Sequence, residues 1–181
     1  SFKVFLKTNI VVSAQRISGD KERINENYTS IQEAAMKIVE RKKSEVKRYK
    51  LYYGVDCLDY TNYDLIIDTT EVPPKDVCEI ILSEFEKFGI MKNNYTPQAF
   101  VSPRNLYPTL ATDQSNDITV TNVDSFDYIL SGHAKVAEAT KEKLPLVRVN
   151  YVSDRQTGNF HDKELIAKWQ QNNDFKYLIE P

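Results

Sequence analysis

Glycine is scarce in this chain. There are five in 181 residues, Gly19, Gly54, Gly89, Gly132 and Gly158, and none lies in a G-x-x-x-x-G-K-[ST] loop. A phosphate cradle of that kind is therefore excluded from this sequence. Cysteine and histidine are also rare, at two each. Cys57 and Cys78 form no CxxC and no Cys/His cluster, which excludes a disulfide framework and a structural zinc site and predicts no bound metal at such a motif. They read as reduced, partly buried thiols of a cytoplasmic protein. No apolar run approaches the ~20 residues of a membrane helix. The opening SFKVFLKTNIVVS lacks a signal peptide's uninterrupted apolar core and cleavage site. No membrane partner is expected. An excess of positive charge is missing too: 24 Lys and Arg stand against 26 Asp and Glu, for a net charge of -2. That balance counts against indiscriminate binding of duplex DNA.

What remains is a globular composition, 41% hydrophobic and ample for a core. KVFLK (3–7) reads as a short strand, so the chain opens directly on an element, as a piece of something longer would. Asn9 is a helix cap for a helix to about Ile17, and SGDKERINENYTS is a polar connection. Ser30 with Glu33 forms a capping box. The helix it starts is expected over Ile31–Tyr52, with an apolar face of Ile31, Ala35, Ile38, Val46, Tyr49 and Tyr53, and Gly54 stops it. YDLIIDTT is a second strand. Pro73 and Pro74 open an amphipathic helix that ends at Gly89. Residues 91–99 read as a polar linker. Beyond it, DITVTNV and FDYIL form a hairpin turning at Asp124 and Ser125. SGHAKVAEATKEK is a short helix, PLVRVNYV a strand and ELIAKWQQN a final helix. The fold class is α/β, in two modules, 1–91 and 92–181.

The long helix holds the densest charge, ERKKSEVKRYKLYYGVD (40–56). Lys37, Arg41, Glu45 and Arg48 fall at i, i+4, i+8 and i+11 and share one face, with Lys42, Lys43, Lys47 and Lys50 to either side. One reading is a solvated face laced with ion pairs. The other is an anion clamp: two arginines grip phosphate oxygens, and a carboxylate between them accepts from a base amine or sugar hydroxyl.

The ordered series KVFLKT, SAQRIS, ERKKSEVKRYKLYYGVD, YDLIIDTT and PPKDVCEIILSEF, over residues 2–88, resembles the C-terminal half of cytidylate kinases of the short archaeal type. The resemblance implies a partial P-loop-kinase-like α/β unit that handles phosphoryl transfer from ATP to CMP or dCMP with Mg²⁺. It implies that Arg16, Arg41 and Arg48 stabilise the transferring group. Lys37, Glu45 and Asp68 would contact the acceptor nucleotide, with Glu45 standing where the family often places an aspartate and Ser13 where it has a neighbouring arginine. Asp68 has a competing role, capping the turn into the next helix. Without the Gly-rich loop, the polypeptide as given is expected to be inactive as a kinase, a nucleotide-binding fragment of a transferase.

Residues 98–152, with FVSPRNLYPT, DITVTNV, FDYILSGHAKVAEAT and LPLVRVNYV, resemble the ParB/sulfiredoxin-like α+β fold. That resemblance implies an anion site at a helix N-terminus, made by the Gly132 amide with His133 and Lys135. The family's acidic residue, second histidine and arginine are replaced by Ser131, Ala134 and Lys135. The competing reading is that Gly132 makes the turn and His133 satisfies local backbone. The alternative function is therefore a non-catalytic nucleotide- or DNA-binding protein, with DNA disfavoured by the acidic total. His161 reads as a cap or surface residue and Trp169 as a core anchor.

Overall fold

The computed structural model describes residues 1–19, 28–153 and 159–181. In chain order the elements are β1 (Val4–Lys7), α1 (Ile10–Gly19), α2 (Ile31–Tyr53), β2 (Leu65–Asp68), α3 (Pro74–Met91), β3 (Gln98–Val101), β4 (Leu106–Pro108), β5 (Thr119–Val123), β6 (Phe126–Ser131), α4 (His133–Lys141), β7 (Val147–Tyr151) and α5 (Lys163–Asn173). They form two compact units, Ser1–Lys7 with Thr61–Pro181, and Thr8–Tyr60. The polar connection expected before the long helix falls largely on residues 20–27, outside the described residues.

The larger unit is built on a seven-stranded sheet in the order β1-β2-β3-β7-β5-β6-β4. β1, β2 and β3 are parallel. All four residues of β2 are buried, as its run of Leu65, Ile66 and Ile67 demands of a parallel strand covered on both faces. Leu65, Ile67, Val72 and Val77 form a core against which Phe2, Val4, Ile80, Ile81 and Phe100 pack. β7 joins the two halves of the sheet. Its residues Val147–Val149 pair antiparallel with β3, and Asn150 and Tyr151 pair parallel with β5. β5 and β6 form the expected hairpin. Asp124 and Ser125 at its turn have φ of 51° and 73°, the positive values a tight primed turn requires. Behind this half lie the buried side chains Leu106, Val120, Tyr128, Ile129, Val136, Ile166 and Trp169. Trp169 is the anchor its spacing predicted.

Two expectations are corrected here. Residues 91–99 are not only linker, because Gln98 and Ala99 already belong to β3 and pair with Leu65 and Ile66. The strands before and after residue 92 thus lie in one sheet, and the two compact units divide instead at residues 7/8 and 60/61. The physical reason is that a four-residue strand behind Pro97 carries little local signal, whereas pairing on both sides fixes it.

The smaller unit is helical. Asn9 Oδ1 accepts from Val11 N at 2.9 Å and starts α1. Ser30 Oγ accepts from Glu33 N at 3.1 Å and starts α2. The Glu33 carboxylate completes the cap one residue earlier than a standard box, accepting from Thr29 N at 2.8 Å and Thr29 Oγ1 at 2.6 Å. Gly54, with φ 67°, ends α2 and donates its N–H to Lys50 O. α1 and α2 pack on each other. The residue each helix buries completely is an alanine, Ala14 and Ala34, small enough for close approach of the two backbones.

Candidate functional site

The predicted clamp lies wholly on α1 and α2. Lys37, Arg41 and Arg48 are exposed and Glu45 is half-buried, so the stripe runs along the margin of the covered face of α2. Arg41 and Arg48 are two turns apart, about 10 Å along the axis. Glu45 stands between them, and Arg16 is exposed near the end of α1. Lys37 is committed to an ion pair, its Nζ 2.9 Å from Glu40 Oε2. That bond, with the charge of Glu40, raises the lysine pKa above its ordinary value. Chemically the stripe offers two planar guanidinium groups and one carboxylate on a single helix edge, a donor–acceptor–donor pattern suited to a phosphorylated ligand.

Asp68, by contrast, belongs to the sheet unit and is completely buried at the end of β2. Its carboxylate accepts from Thr70 N at 3.0 Å, Asn105 Nδ2 at 2.8 Å and Ser102 N at 3.3 Å. Beside it, Glu71 accepts from Ser102 Oγ and pairs with Arg104. The turn after β2 is thereby tied to the turn after β3, so the capping role weighed for Asp68 in the sequence is what its neighbours show. A further charged group joins distant strand ends. Lys7 Nζ meets Asp127, which also accepts from Tyr151 Oη at 2.8 Å and Asn122 Nδ2 at 2.8 Å. Neither cluster carried a local signal, because the partners that define them are far apart in sequence, Glu71 and Ser102 by 31 residues and Lys7 and Asp127 by 120.

The helix N-terminus at Gly132 holds an anion that belongs to the chain itself. Asp113 accepts from Gly132 N and His133 N at 2.9 Å each, from Ser115 N at 2.8 Å, and from the His133 ring. Partial burial pushes its pKa up, but the backbone donors of His133, Gly132 and Ser115 and the imidazole outweigh that, and the carboxyl stays well below the usual carboxylate range. His133 is completely buried. Its Nε2 lies 3.2 Å from both Thr109 N and Leu110 N. Two N–H donors fix that nitrogen as an acceptor, so the ring is neutral and its Nδ1–H donates to Asp113. Burial lowers the imidazole pKa in agreement, against the raising pull of Asp113. The amides expected to receive a ligand anion are thus engaged by Asp113, and Lys135 alone of the trio is exposed. Gly132 itself is obligatory: its φ is 86°, and a Cβ there would lie 2.8 Å from Asp117 O and Ile118 Cα. Asp113 was missed because an aspartate in a polar loop gives no sign of a partner 20 residues on. His161, with φ 62°, places Nδ1 2.6 Å from Tyr128 Oη.

The described residues do not group to hold Mg²⁺. The Gly-rich loop is missing from the sequence, and among the described residues no three His, Cys, Asp or Glu side chains are grouped to hold a metal ion. Nor, among the described residues, is any helix long and apolar enough to cross a membrane.

In sequence, the helical unit interrupts the sheet unit between Lys7 and Thr61. Residues 1–71 match the cytidylate kinase-like family. The chain is 38% identical to the cytidylate kinase of Methanopyrus kandleri over 97 residues, covering 54% of this chain and 42% of that protein. It is 37% identical to the cytidylate kinase of Sulfolobus acidocaldarius and 42% identical to that of Pyrococcus abyssi, each over 79 residues, 44% of this chain and 40% of the relative. The chain therefore spans about two fifths of the length of the curated relatives it matches. No solved structure matches.

Proposed function

We propose that the chain carries the acceptor side of a cytidylate-kinase-like phosphotransferase and binds a cytidine monophosphate, CMP or dCMP, on α2. Arg41 and Arg48 bind phosphate oxygens, Lys37 and Glu45 hold the nucleoside, and Arg16 reaches the same anion from α1. The observation that carries this reading is the Lys37–Arg41–Glu45–Arg48 stripe, set inside the segment that matches the cytidylate kinase-like family. Phosphoryl transfer depends on positioning and charge neutralisation, which is what such a stripe supplies. Asp68 is not assigned to the nucleotide, because its carboxylate already accepts from Thr70, Ser102 and Asn105. Transfer from ATP with Mg²⁺ requires a phosphate-binding loop that this sequence does not contain, so the chain by itself binds and does not transfer.

The ParB-like reading of residues 92–181 is kept as a second, non-catalytic nucleotide site. Lys135 would be its exposed contact, and Asp113 would have to leave the amides of Gly132 and His133 before a phosphate could enter. The two readings separate in one experiment, thermal unfolding of the chain alone and with CMP, dCMP, ADP or ATP. A ligand at about 100 times its Kd adds roughly 2.7 kcal/mol, a rise of at least a few degrees at this size. A rise with CMP or dCMP supports the α2 site. A rise confined to ADP or ATP supports the second, and no rise with any of the four refutes both.

A further inference from the structure

One end of the seven-stranded sheet is an open edge, and the helix flank beside it is apolar. Both lie in the sheet unit. β1 is the terminal strand, and among the described residues its one ladder partner is β2. Lys3 O accepts from Leu65 N, and Lys7 O accepts from Thr69 N. Backbone groups alternate sides along a strand, so Val4 and Leu6 turn their N–H and C=O groups outward, away from β2. Their side chains share a face of the sheet. Val4 packs against the core of Leu65, Ile67, Val72 and Val77, whereas Leu6 is 53% exposed. Phe2, just before β1, joins this edge to α3, its ring 5.7 Å from Phe85 and 5.0 Å from Phe88. On α3, Cys78, Leu82, Phe85 and Gly89 fall at i, i+4, i+7 and i+11 and form an exposed stripe without charge. Leu82 is 61% exposed and Phe85 54%, and a Cβ on Gly89 would meet nothing within 4 Å.

We infer that this edge is a self-association surface: β1 pairs antiparallel with β1 of a second copy, and the two α3 stripes pack on each other across the joint. A strand is the partner that satisfies a row of outward N–H and C=O groups, and β1 is complementary to itself. With Phe5 on the two-fold axis, Val4 faces Leu6 of the second copy, and the two exchange N–H···O=C bonds in both directions. Phe5 meets its own copy as a cross-strand aromatic pair. The same register sets Lys3 opposite Lys7 of the second copy. Like charges oppose such a pairing, but Lys7 is already neutralised by Asp127. β1 carries neither the proline nor the bulge that ordinarily blunts an edge. The far end of the sheet is blunted: β4 has three residues, ends in Pro108 and packs against α5. Association therefore closes at a dimer, as an isologous contact does.

The test is sedimentation equilibrium of the intact chain over a range of concentrations, with amide hydrogen exchange read at Val4 and Leu6. The inference predicts a monomer–dimer equilibrium, with protection of both amides that grows with the dimer fraction. Leu82→Glu changes an exposed side chain, so the monomer stays folded while like charges meet across the helix contact. It should weaken the dimer at least about tenfold. Leu6→Pro removes an outward N–H and no bond to β2, a change that edge strands accept, and should abolish the strand pairing. If Leu6→Pro disturbs the fold, Leu82→Glu still decides. Both variants leave Lys37, Arg41, Glu45 and Arg48 in place, so any CMP-induced stabilisation should survive them. A chain that is monomeric at every concentration overturns the inference. So does growth past the dimer, or a dimer that both variants leave intact. Free exchange of the Val4 and Leu6 amides within a dimer overturns it as well, because the contact then lies elsewhere.

Discussion

The two units spend their charged residues in opposite ways. In the sheet unit, Asp68, Asp127 and His133 are buried, and each is held by named partners drawn from other strands and turns. In the helical unit, Arg16, Lys37, Arg41 and Arg48 are exposed on two helices that bury little beyond Ala14 and Ala34. A buried charge that is fully hydrogen-bonded specifies structure, because losing any partner strands another group without water. An exposed cationic row adds little to stability and is the kind of charge a ligand can recruit. Charged groups therefore secure the fold in the sheet unit, whereas those of the helical unit lie where a ligand could reach them.

The strongest way to break this comparison is at its buried end. His133→Ala would strand the Thr109 and Leu110 amides, remove a donor from Asp113 and leave a hole in the core. The expected cost is about 3–5 kcal/mol, a fall of roughly 10 °C in Tm, measurable by calorimetry. A fall no larger than that of a surface substitution would remove His133 from the framework.

Acid should act on the same pair. The unfolded imidazole titrates near its ordinary value of 6.5, and burial holds the folded one lower. Below pH 6.5 the unfolded chain therefore binds more protons, and stability is lost as pH falls through that window. The depressed Asp113 adds a second loss as pH falls below its ordinary 3.8. Urea midpoints should hold above neutrality and decline from about pH 6.5 downward. A midpoint that stays level to pH ~5 would contradict the neutral, buried ring. A smaller effect is expected at the cap of α2, where Ser30→Ala removes the acceptor for Glu33 N and should cost about 1 kcal/mol by denaturant unfolding. Nucleotide binding farther along the helix should be unchanged.

How far the sequence revealed these features depended on how local their causes are. Ser30, Glu33 and Gly54 bracket α2 by chemistry within a few residues, and the helix was legible almost to its ends. Asp124 and Ser125 likewise betrayed the β5–β6 turn. β3 and β4 were not legible, since strands of four and three residues owe their conformation to neighbours far along the chain. The arginine stripe could be read from helical spacing alone. Asp113, Asp127 and the Glu71–Arg104 pair could not, because their partners are brought to them only by the folded sheet. The outward helix was thus plain in the sequence, and the inward charges became plain only in the structure.

The most direct test of the central claim is calorimetric titration of CMP into the wild-type chain and into Arg41→Ala/Arg48→Ala, with the apo Tm of both recorded. The account predicts measurable binding to the wild type, its loss in the double variant, and apo stabilities that agree within about 0.5 kcal/mol per site. Equal affinity in both proteins, or a double variant that loses stability in step with binding, would mark those arginines as structural and contradict it.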